Sequence, residues 1–201
     1  MSTEPSTAKA AIRTHLAELK NQLQAEADVF LPIITVNKGR GGAAFCYLLF
    51  AAIDVLAIIV HGVSKDPQVK DQPERLRRLF NDKRFTPQHF ASKSEIMTHL
   101  FSGAVINAFT PATGPVVRMS GEQVGFAGTF TIRGHAIINP AKFLEDVLGM
   151  IAKVSAYVDT APETEIGPIH ARLIFKEGKD RDQLIKLVTG AAFEEMPTMG
   201  G

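Results

Sequence analysis

The sequence of 201 residues is poor in cysteine and carries little net charge, and each of these absences excludes a class of protein. Cys46 is the single cysteine, so an internal disulfide framework is excluded and a reducing cytoplasm is expected. The 22 basic and 21 acidic residues leave a formal net charge of +1. The whole molecule is therefore not attracted to nucleic acid or to an anionic membrane, and such binding would need a local basic patch.

The motifs of common catalytic and metal sites are also absent. The six histidines form neither His-Glu-x-x-His nor a Cys/His cluster, and no Gly-x-Ser-x-Gly elbow occurs, so we predict no metal and no cofactor. The glycines of Asn37–Gly42, "NKGRGG", precede a helix without a Walker Lys-Ser/Thr. We interpret them as a flexible turn; ligand binding by Arg40 at this helix start is the alternative, as is a separate binding role for Asp54 further along the helix.

What the sequence does contain is the composition of a globular protein, with 45% hydrophobic and 21% charged residues. The first residues, "MSTEPSTAKAAIRTHLAEL", include charges and no long apolar stretch, so no secretory signal is predicted. We expect one helical domain over residues 1–160. Residues 161–201 are expected to form a C-terminal arm with a strand and a helix, packed on the same domain.

One long apolar stretch, Ala43–Val60, is "AAFCYLLFAAIDVLAIIV", with Asp54 as its only charge. Its length is at the lower limit for crossing a bilayer, and a carboxylate past its middle costs roughly 2.5–3.5 kcal/mol there. We therefore predict a helix that is apolar on every side because its own chain surrounds it. Asp54 then needs backbone amides or a nearby Arg as partner. A membrane anchor over residues 43–60 is the alternative.

Hydrophobic spacing predicts further helices on both sides of this stretch. Three of them are expected over Thr7–Ala27, Ser92–Phe109 and Asp180–Glu195. Two more are expected to begin at the capping box of Asp71 and Glu74 and after the N-cap Asn139. "VFLPIITV" contains Pro32 and is predicted to be an extended connector. "IHARLIF" is predicted to be a strand. Between Val116 and Pro140 the short, Gly-punctuated, Val- and Ile-rich segments predict two or three antiparallel strands.

The basic stretch Lys65–Lys93 is a possible nucleic-acid surface. It has an excess of four basic residues, with Phe80, Phe85 and Phe90 interleaved. Lys and Arg contacts to phosphates and aromatic stacking on bases would use such residues. We favour the other interpretation, a solvated helix face with the phenylalanines packed inward.

Within this stretch, "RFTPQHF" places Arg84 and His89 five positions apart. Arginine can bind a phosphate and histidine can transfer a proton, so the two residues are candidate catalytic residues of a ribonuclease. Thr86 and Pro87 are also typical of an N-cap and a first helical residue, which would orient Arg84 and His89 differently. The motif is accordingly interpreted as a helix start.

The order of these segments, with "AAIDVL", "RLRRLF", "HLFSGAVINAF" and "INPAKFLEDV", resembles the HEPN (higher eukaryote and prokaryote nucleotide-binding) family over roughly Ala43–Val158. The resemblance implies a helical dimer, and in active members a metal-independent ribonuclease in which an Arg and a His, with four to six residues between them, cleave RNA through its 2′-hydroxyl. Arg84 and His89 match that separation, but Phe85 replaces the polar residue that often follows the Arg. In the better positional match, "FSGAVI", Phe101 and Ile106 replace the Arg and the His, which implies a fold used for binding or assembly.

The sequence thus predicts a mainly α-helical bundle with a small antiparallel β-hairpin between the fourth and fifth helices. We expect a non-catalytic, cytoplasmic binding or regulatory protein that self-associates. Binding of a further protein partner is an additional option. The alternatives are a ribonuclease using Arg84 and His89, and a membrane-anchored protein.

Overall fold

The structure is a computed structural model, and it describes residues 5–36, 42–62, 71–91, 94–95, 98, 116–117, 126–130, 136–171 and 173. The helices are α1 (Pro5–Val36), α2 (Gly42–His61), α3 (Asp71–Asn81), α4 (Gln88–Ala91) and α5 (Pro140–Thr160). Residues 163–171 are also helical. The described part of the chain is therefore mainly α, which confirms the predicted class. The predicted helix over Ser92–Phe109 and the last one over Asp180–Glu195 lie almost wholly outside the described residues.

Three short strands precede α5: β1 (Val116–Val117), β2 (Phe126–Phe130) and β3 (Ala136–Ile138). They are ordered β1-β3-β2, with β3 antiparallel to β2 and parallel to β1. The parallel pair departs from the expected all-antiparallel element, because strand propensity carries no information on the direction of pairing. The connecting residues lie outside the described residues, so these strands do not establish the predicted β-hairpin.

Helix α1 is longer than the sequence predicted, since it continues through Pro32 to Val36. The prediction of an extended connector was wrong. A proline inside a helix loses one backbone hydrogen bond and crowds the preceding turn. Tertiary packing offsets that cost, because Ile34 is fully buried and Phe30 stacks on Phe45 of α2 with their ring centroids 5.7 Å apart.

The predicted strand "IHARLIF" is also corrected by the structure. Residues 163–171 and 173 are helical, and Ile166, Ile169 and Leu173 are buried at spacings of three and four. That spacing places the three side chains on one face of a helix. The strand prediction considered the short apolar run alone and omitted Ile166, which precedes it.

Helix α2 is the central helix of the described core. Its buried residues point in most directions around the axis, and α1, α3 and α5 pack against it. They are Phe45, Cys46, Leu49, Phe50, Ala52, Ile53, Leu56, Ala57, Ile58 and Ile59. Within the described residues, Ala44–His61 is the one helix long and apolar enough to cross a membrane by length and composition. The core helix of a water-soluble fold passes the same test.

Contacts at both ends of α5 fix the directions of the helices. Near the start of α1, Lys9 and Arg13 both donate to Asp159 near the end of α5, so α1 and α5 are antiparallel. Near the start of α5, Phe143 contacts Phe50 from the first half of α2, with their ring centroids 5.2 Å apart.

The last residue of α2, His61, lies near the other end of α5. Its Nε2 is 3.8 Å from Asp82 Oδ2, and Asp82 pairs with Arg84, whose guanidinium lies over Tyr157 of α5. Helices α2 and α5 therefore run in the same direction, and α1 runs antiparallel to both.

Candidate functional site

The motif "RFTPQHF" combines a connector, residues 84–87, with the first residues of α4, and it packs across α5. Phe85, Thr86 and Phe90 are buried, and Thr86 Oγ1 donates a 2.6 Å hydrogen bond to the carbonyl of Leu79. Phe85 lies edge to face on Tyr157, at 5.3 Å between ring centroids. Hydrophobic burial therefore accounts for the two phenylalanines of the motif, and a buried hydrogen bond accounts for Thr86.

Arg84 projects from this connector and is held by Asp82. Its Nε and Nη2 donate to Oδ1 and Oδ2 of Asp82 at 3.0 and 2.7 Å, and its guanidinium carbon is 4.9 Å from the Phe85 ring centroid. The hydrogen bond from Arg84 lowers the pKa of the Asp82 carboxyl, against the raising effect of burial. The same hydrogen bond raises the pKa of Arg84. The positive charge of Arg84 is thus already neutralised by a bidentate carboxylate.

His89 has a different partner. Its Nε2 is 2.9 Å from Asp146 Oδ2 on α5, and both side chains are half-buried. Burial raises the pKa of the Asp146 carboxyl, and the hydrogen bond with His89 opposes that effect. A carboxylate on one ring nitrogen fixes the orientation of the imidazole, as in many acid-base histidines and in many purely structural ones.

Arg84 and His89 do not converge on one point. Arg84 lies over Tyr157, whereas His89 contacts Asp146, and these two α5 residues are eleven positions apart. A rise of about 1.5 Å per residue separates them by roughly 16 Å along the helix axis. One phosphate cannot contact both side chains across that distance, so the geometry gives the catalytic prediction no support within one chain.

Asp54 has the arginine partner that the sequence analysis expected. Arg75 Nη2 donates to Asp54 Oδ1 at 2.8 Å, and the two side chains are 10% and 22% exposed. A half-buried carboxylate on an apolar helix is thereby paired with an arginine. The other predicted ligand residue, Arg40, lies outside the described residues.

The basic stretch is largely neutralised in its described part. Arg77 pairs with Glu74 and Glu95, and Arg78 pairs with Glu74. These pairs are in addition to those of Arg75 and Arg84. Phe80, Phe85 and Phe90 are each at most 1% exposed, so their rings are not available to stack on bases. Lys65, Lys70 and Lys93 lie outside the described residues.

The described residues offer neither a reactive thiol nor a cluster of metal ligands. Cys46 is fully buried, and burial raises the pKa of its thiol to about 12, which leaves it protonated and unreactive. Among the residues that the structure describes, no group of three or more His, Cys, Asp or Glu side chains is placed to hold a metal ion.

The sequence analysis missed Asp146, although a signal for it exists. Asp146 lies three residues after Phe143 and four before Met150, both fully buried, and this spacing places it at the edge of the inward stripe of α5. A carboxylate at the edge of a buried stripe needs a partner from a neighbouring element. The identity of that partner, His89, depends on tertiary structure and could not be predicted.

The most unusual surface of the described residues is an apolar face on α1 and α2. Val29, Ile33 and Val36 of α1 are 59%, 48% and 80% exposed, and Leu48 of α2 is 38% exposed. Ala44 and Ala51 of α2 are exposed as well. We use the name apolar face for these six residues. None of them carries a polar group, so their exposure to water is unfavourable.

Comparisons of the chain with protein-family models, with curated proteins and with solved structures found no match.

Proposed function

We propose that this protein is a non-catalytic binding or regulatory protein that associates with a second copy of itself through the apolar face. The observation that carries the proposal is the exposure of Val29, Ile33 and Val36 along one side of α1. Contiguous apolar surface on a folded protein typically marks a site of association. The single, buried Cys46 favours a reducing compartment, and we place the protein in the cytoplasm.

The charges of the described residues support a protein partner over nucleic acid. Four arginines of the basic stretch are paired with carboxylates, which reduces what they could gain from phosphates. The apolar face itself carries no charge. Interfaces between proteins are depleted of charge at their centre, whereas nucleic-acid interfaces are rich in it.

The HEPN-like resemblance, with its implied dimer and its degenerate Arg/His pair, stays part of this proposal, as does the predicted β-hairpin before α5.

A metal-independent ribonuclease is the second candidate, because His89 is oriented by Asp146. Two copies of the chain would then have to bring Arg84 of one to His89 of the other. Purified protein incubated with mixed RNAs, beside an Arg84→Ala/His89→Ala variant, separates the candidates. Equal absence of cleavage is expected; cleavage by the wild type alone would support the enzyme.

Light scattering coupled to size-exclusion chromatography tests self-association. At micromolar concentration the wild type should have the mass of two chains. Ile33→Asp should have the mass of one, because it places a charge at the centre of the apolar face. Ala17→Asp is the matched control, since Ala17 is exposed on another side of α1, and it should stay dimeric. A one-chain mass for the wild type would contradict the proposal.

A further inference from the structure

We draw no further inference here: the strongest candidate, the apolar face on α1 and α2, is already the basis of the proposed self-association, and nothing in the structure shows what covers it.

Discussion

Asp54 of α2 and Arg75 of α3 form an ion pair inside the most apolar region of the protein, with Arg75 Nη2 2.8 Å from Asp54 Oδ1. Seven residues later on each side, His61 Nε2 lies 3.8 Å from Asp82 Oδ2. Because both pairs have the same separation in sequence, α3 runs in the same direction as α2. A charge on the central helix is thus tolerated because a second helix brings a fixed counter-charge to it.

Removal of Arg75 should be costly for this reason. We expect Arg75→Met to lower the free energy of unfolding by about 2 kcal/mol, since it leaves the half-buried carboxylate of Asp54 without its arginine. Urea denaturation followed by circular dichroism measures the change. Arg78→Met is the matched control on the same helix: Arg78 is exposed and pairs with the exposed Glu74, so the loss should be much smaller.

A double-mutant cycle isolates the interaction of Asp54 with Arg75. Asp54→Leu combined with Arg75→Met should recover much of the stability lost in Arg75→Met alone, because no charge is then left unpaired. Strictly additive losses in the double variant would mean that the two side chains do not interact.

Asp82 should make stability depend on acidity. Its folded pKa is lowered by Arg84, so it stabilises the fold above its unfolded pKa of about 3.9, and this contribution is lost as the pH falls through the folded value. Asp82→Asn should lower the free energy of unfolding by about 0.5 kcal/mol at pH 7. Wild type and variant should converge in urea denaturation once the pH lies below the folded pKa of Asp82. Asparagine can still accept the hydrogen bond from the Arg84 amide, so the comparison isolates the charge. A difference in the free energy of unfolding between wild type and Asp82→Asn that does not change with pH would contradict this prediction.

Asp146 should make the stability depend on pH in the opposite direction to Asp82. Burial raises its folded pKa above the unfolded value, so its contribution favours folding at low pH and is lost as the pH rises through the folded pKa. The stability of the wild type relative to Asp146→Asn should therefore fall as the pH rises from the unfolded pKa of about 3.9 to the folded pKa of Asp146. The carboxyl resonance of Asp146 in an NMR titration should have its midpoint above that of Asp82. The reverse order would refute the assigned environments.

Gly149 offers a stabilising substitution. It lies exposed within α5, and an added methyl group would meet nothing within 4 Å. Gly149→Ala should raise the free energy of unfolding by about 0.5–1 kcal/mol, because alanine loses less backbone entropy in a helix. Gly62→Ala is the matched contrast and should be destabilising, since Gly62 follows α2 with a φ of 79°. Thermal melting of the two variants should shift in opposite directions; loss of stability in Gly149→Ala would contradict the helical assignment there.

The sequence predicted those parts of the fold that depend on local pattern. The apolar run Ala43–Val60 indicated a central helix, and Asn139 with Pro140 indicated the start of α5, where Asn139 Oδ1 accepts from the backbone amides of Ala141 and Lys142. Pro32 misled the analysis, because the packing of Phe30 and Ile34 outweighs the lost hydrogen bond.

The partners of the candidate site residues depend on tertiary contacts, so the sequence predicted fewer of them. Spacing made Arg84 and His89 a candidate pair beside the favoured helix start, whereas in the structure Arg84 pairs with Asp82 and His89 with Asp146. The partner of Asp54 was expected to be an amide or an arginine, but nothing local pointed to Arg75. The apolar face was not foreseen, since each of its rows resembles an ordinary buried stripe until the opposite side of the helix is known.

The fold and the proposed self-association both require that α2 is enclosed by its own chain and not by lipid. Separation of a cell lysate into soluble and membrane fractions, with the membranes washed in high salt and then in alkaline carbonate, tests this directly. The protein should be found in the soluble fraction or be released by the washes, because Ala44–His61 contacts α1, α3 and α5 and carries the Asp54–Arg75 pair. Protein that stays in the pellet after carbonate and is released only by detergent would contradict the fold, the apolar face and the proposed self-association together.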